Sequence, residues 1–132
     1  MNAIEQRVAY YVERLQGDAS EDAFHGLIEC PPQAIPAIID SYDSADCADT
    51  KATIIEVLGH FRNSQAIDLL KKTLADSDPK IWKPSLDSLV SIGEEALEAL
   101  KNSLRNECSN VKMEYIAEAI EQIQLAPKTG KG

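Results

Sequence analysis

The chain has 132 residues, 44% of them hydrophobic and 5% aromatic, and its 13 Lys and Arg face 22 Asp and Glu for a formal net charge of -9. That length and apolar content suit a single packed domain, expected over residues 1–126. The acidic balance argues against nucleic acid or anionic lipid as a partner, because both are bound by clustered Lys and Arg. No apolar run approaches the roughly 20 residues of a membrane span. Met1 to Val8 includes Glu5, Gln6 and Arg7, unlike the apolar core of a signal peptide, so a cytoplasmic protein is expected.

Apolar residues at helical spacing predict helices at 3–16, 20–29, 33–43, 48–61, 64–76, 79–93, 94–105 and 109–125. The first carries Ile4, Val8, Tyr11 and Leu15. The second opens at Ser20 with Glu21 and Asp22 at the positive end of its dipole, and carries Phe24, Leu27 and Ile28. Pro31 and Pro32 separate it from the third. Gly59, just after Leu58, reads as the left-handed terminus of the fourth helix, and Gly93, after Ile92, as that of the sixth. Asp78-Pro79 reads as an N-cap followed by proline at the first helical position. Pro84 lies inside the sixth helix and is expected to bend it near its start. From Pro127 the tail Pro-Lys-Thr-Gly-Lys-Gly has no apolar anchor and is expected to be disordered. Strand signals are absent.

The helices repeat. Ala34-Ile35-Ile38-Tyr42, Ala66-Ile67-Leu70-Leu74 and Ala96-Leu97-Leu100-Leu104 share one internal spacing, at offsets of 32 and then 30 residues. Between them, Ile81, Leu86, Leu89 and Val90 match Val111, Ile116, Ala119 and Ile120 at an offset of 30. Each unit is two helices long. The first pair fits less well, as expected of a terminal repeat with one face toward water.

Asp76-Ser-Asp78-Pro79-Lys-Ile81, followed by Ser85-Leu86-Asp-Ser-Leu89-Val-Ser-Ile92-Gly93, resembles the HEAT and HEAT-like repeat pattern, including the phycobilisome-lyase type. Asn106-Glu-Cys108-Ser-Asn110-Val111-Lys112 with Ile116 and Ile120 repeats it more loosely. The resemblance implies an all-α fold: a short α-α superhelix of about four helix pairs, at 3–30, 33–61, 64–93 and 94–125. It places first helices on a convex face and second helices on a concave one. Members often carry arginine after the branched aliphatic residue, paired with a turn aspartate across repeats. Here Trp82 and Lys112 stand at those positions, so that ladder of ion pairs is not expected in this form.

No catalytic constellation is legible. His25 and His60 fall in separate repeats, without the His-Glu pairs of HEAT-like iron hydroxylases. His60 reads as a cation at a helix C-terminus. Cys30, Cys47 and Cys108 lack zinc spacing and read as small, partly buried fillers near helix ends. Asp40, Asp43, Asp46 and Asp49 recur every third residue, which suits helix caps and a solvated turn rather than a calcium loop. No cofactor or metal is expected. Trp82 reads as core. As the alternative, it would be an exposed groove anchor among Lys80, Lys83, Asp87 and Lys112.

Charge is unevenly spread. Residues 1–50 hold ten acids and two bases, net -8, and residues 51–132 hold twelve acids and eleven bases, net -1. Between Gln16 and Thr50 there is no Lys or Arg, against eight acids. The expected function is therefore a non-enzymatic interaction module. It would bind a basic partner protein through its concave face and acidic N-terminal half, with Asp40, Asp43, Asp46, Asp49, Lys80, Trp82, Lys83, Asp87 and Lys112 as candidate contacts. By likeness to small acidic HEAT-like proteins, a bacterial immunity protein against a basic toxin is its sharper form. The alternative is a HEAT-like lyase or chaperone acting on a cofactor-bearing protein.

Overall fold

The computed structural model describes residues 1–127 and holds, among them, eight α-helices and no strand. They are α1 (Ala3–Arg14), α2 (Ser20–Ile28), α3 (Ile35–Ser44), α4 (Ala48–Phe61), α5 (Ile67–Leu74), α6 (Pro79–Ile92), α7 (Leu97–Asn106) and α8 (Asn110–Leu125). Of the tail expected to be disordered, 128–132 lies outside the described residues.

Helix starts follow local chemistry. Asn2 and Glu5 form a reciprocal capping box on α1. Asp78 accepts from the Lys80 N–H ahead of α6, and Ser109 from the Lys112 N–H ahead of α8. Three first helices enter through one turn of 3-10 helix, at Pro32–Ala34, Ser64–Ala66 and Glu94–Ala96. Each turn ends on an alanine with no exposed surface. A larger side chain has no room there, which is why the repeated motif begins with Ala.

The helices pack pairwise, α1 with α2 through α7 with α8, and the pairs stack. Even-numbered helices contact one another in sequence, α2 to α4 to α6 to α8, and form one layer. In the odd layer α1 meets α3 and α5 meets α7. Ile38, Ile54, Leu58, Leu70, Leu89, Leu100 and Ile116 are fully buried in one continuous core. No helix pair could bury its apolar stripe alone, so the stack itself makes the core.

Some local expectations fail. Gly59 does not end α4 but lies inside it and is buried. A Cβ there would sit 3.0 Å from Ser88 Cβ and 3.2 Å from its Cα, so glycine lets α4 and α6 approach closely. The left-handed terminus of α4 is Arg62 instead, at φ 50°. Gly93 does close α6 with positive φ, at 91°. α6 starts at Pro79 and runs on through Pro84. Of the cysteines only Cys30 is buried filler; Cys47 and Cys108 are exposed, because they stand at or between helix ends. Val111 is 60% exposed although its counterpart Ile81 is 3% exposed, because Ile81 sits on an inner helix and Val111 on the last one described.

Candidate functional site

Two surfaces carry the candidate residues. On the even layer, furrows run between consecutive helices. The first, about 430 Å³ between α2 and α4, is lined by Glu21, Phe24, His25, Asp49 and Glu56 among others. The next, also about 430 Å³, lies between α4 and α6 with Glu56, His60, Arg62 and Asp87. A third, about 500 Å³, lies between α6 and α8 with Asp87, Tyr115, Glu118 and Glu121. Glu56 and Asp87 each border two furrows, so the three join into one acidic track. Partial burial there raises the Asp87 carboxyl above its ordinary value.

On the odd layer, a wider trough of about 640 Å³ separates α1 from α3. Asp40 lines this trough, whereas Asp49 lines the first furrow of the even layer. Asp43, in the last turn of α3, and Asp46, in the connection to α4, are exposed. The four aspartates are thus one sequence run but not one site: Asp40 lies on α3 of the odd layer and Asp49 on α4 of the even layer.

Asp49 meets Lys80 of the next repeat at 3.2 Å, an exposed pair that water weakens. Lys83 is exposed and sits over the rings of Trp82 and Tyr115, at 5.7 and 5.3 Å. Trp82 is only 5% exposed and packs edge-on to Tyr115, so it is a core residue and cannot anchor a partner. Lys112 is also withdrawn from the surface, at 6% exposed. Its ammonium donates to the carbonyls of Leu74 (2.9 Å) and Asp76 (3.0 Å) and pairs with Glu107 at 3.6 Å. An inter-repeat link therefore does exist here, made to backbone carbonyls at the end of α5 rather than to an aspartate side chain. Those carbonyls have no helical partner, and a buried cation satisfies them.

The track also holds residues that sequence reasoning passed over, chiefly Glu56 and Glu118. Their signal was present: Glu56, Asp87 and Glu118 recur at intervals of 31 residues. His60 is exposed in the last turn of α4 with its ring edge-on to Phe24. Among the described residues no three His, Cys, Asp or Glu side chains converge where they could hold a metal ion. No helix among them is long and apolar enough to cross a membrane.

A family model described as HEAT repeats matches residues 35–121. The match begins at α3, leaving out the divergent first pair. No curated protein gives a significant match to the chain.

Proposed function

The chain belongs to the HEAT-repeat family, and from that membership we propose a non-enzymatic module that binds a basic partner protein. HEAT repeats generally mediate protein–protein interaction. The observation that carries the finer reading is the stretch from Gln16 to Thr50, with eight acids and no Lys or Arg, in which Asp40, Asp43, Asp46 and Asp49 are all exposed. The even-layer track extends this acidity from Glu56 of the second pair into the third and fourth, through Asp87, Glu118 and Glu121. Such a field speeds encounter with a cation-rich surface and disfavours acidic competitors. In its sharpest form the module is a cytoplasmic immunity protein that masks a basic toxin such as a nuclease.

Changing Asp40, Asp43, Asp46 and Asp49 together to Asn tests the reading. Association with the partner is expected to slow by about tenfold at low salt, with dissociation little changed. An unchanged association rate counts against the acidic surface. For the immunity form, the gene beside this one should encode a basic toxin that the purified chain inhibits, and a neighbour without such activity sinks it.

A further inference from the structure

We propose that the trough between α1 and α3 is a docking site for an amphipathic helix of a partner protein, with apolar side chains on its floor and Lys or Arg along its flanks. This rests on the reading of the chain as an interaction module, and it places the partner on the layer of first helices rather than on the second-helix face that the repeat resemblance implies. The even-layer furrows are smaller, about 430–500 Å³ each, and are bordered by Glu56, Asp87, Glu118 and Glu121, whereas the odd-layer trough has an apolar floor of Val8, Ala9, Val12, Ala37 and Ala45. At about 640 Å³ it falls within the volume range of ligand-binding clefts.

Small side chains create the space. Ala37 has Leu69 as its counterpart one repeat on, and Leu69 packs against the core. With alanine at 37 that volume stays open to solvent. The α1 wall runs from Glu5 to Glu13 at helical spacing and continues to Gln16 in the following turn, so its helical part is roughly 12 Å long at about 1.5 Å per residue. An elongated apolar trough between two helices accommodates a third helix presenting anchors at i, i+4 and i+7.

Charge selects among such helices. Glu5, Glu13 and Asp40 border the floor, and no Lys, Arg or His lines it. Glu5 also caps α1 through the Asn2 N–H, and Glu13 shares its charge with exposed Arg14 at 3.4 Å. Asp40 has no hydrogen bond or ion pair among the described residues. The corresponding residue of the next repeat is Lys72, so the negative rim belongs to this trough and is not a feature of every repeat. A partner helix with cations beside its apolar stripe meets both requirements.

The test uses the full chain, labelled with nitrogen-15, and three synthetic 16-residue peptides. One carries leucines at i, i+4 and i+7 flanked by lysines; the second scrambles the same composition; the third has Glu in place of Lys. The first peptide should shift amide signals of residues 5–16 and 37–45, and bind about tenfold more tightly than either control. Ala37→Leu, which fills the floor, should weaken it by about tenfold while the circular dichroism spectrum is unchanged. Ala9→Leu should do the same from the opposite wall. Asp40→Asn should weaken binding about threefold at low salt and have no effect at high salt. Signal changes confined to the even-layer furrows, equal binding of the scrambled peptide, or full affinity in both folded leucine variants overturns the trough, and each leaves the module reading standing. Concentration-dependent shifts of the trough signals without peptide would make a second copy the occupant and likewise overturn it. Failure of the module reading has a separate signature: no partner protein binds any version of the chain.

Discussion

Lys112 leaves the first turn of α8 and reaches back 38 and 36 residues to the carbonyls of Leu74 and Asp76. Replacing it with Met keeps much of the stem's packing but strips both carbonyls of their donor and leaves Glu107 without its cation. A loss of about 1–3 kcal/mol in chemical denaturation is expected. Glu107 gives the same junction a pH dependence. Its carboxylate accepts from the Ser109 N–H at 2.9 Å and faces Lys112, and these hold its pKa below the ordinary value of 4.5. A depressed folded pKa contributes stability above that value and loses it as pH falls through the folded one. Glu107→Gln should therefore flatten the decline in denaturation midpoint below about pH 4.5. Cysteine reactivity gives a further check. The Cys47 thiol is lowered by the Thr50 hydroxyl and N–H at the start of α4, while burial raises Cys30. Timed alkylation at pH 7 read by mass spectrometry should label Cys47 well before Cys30. Equal rates would contradict this placement.

At the scale of elements, α4 and α6 approach closely at one glycine. Gly59 faces Ser88, whose hydroxyl donates to the Ile55 carbonyl at 2.9 Å across the same interface. Ala at 59 would gain about 1 kcal/mol of helix propensity, yet its methyl group has nowhere to go. Gly59→Ala is expected to destabilise by a net 1–3 kcal/mol, on the order of other overpacked sites. A stabilised variant would show that the two helices can part without cost. Helix positions were legible because each apolar stripe recurs at the helical period, and burying it needs only a partner layer. Gly59 was misread for the opposite reason: a glycine near a helix end looks like a terminus from its neighbours, whereas its cause lies on another helix 29 positions away. The solvent exposure of Val111 was equally hidden, since spacing shows which residues share a face but not whether anything packs on it.

At the scale of the whole molecule, the acidic excess in the first 50 residues was visible from the sequence, but its division between two faces was not. Asp40 and Asp49 part company because a helix end and a connection lie between them. The even-layer track assembles acids from all four pairs, which only the stacking brings into line. Trp82 and Lys112 break the family's pattern, and Trp82 reads as core with an exposed anchor beside Lys112 as the alternative. The fold uses both inside, one as core and one as the link between repeats. The surface that remains carries the acidic residues, and it should attract cation-rich proteins in a salt-dependent way. The most direct measurement is partner recovery from the source cells at about 50 mM and about 500 mM salt, concentrations that span strong and weak screening. It would use the unmodified chain and the variant with Asn at 40, 43, 46 and 49. A basic protein retained by the unmodified chain at low salt, and lost both at high salt and from the variant, is the expected result. A partner held equally under all these conditions would contradict the acidic-surface reading.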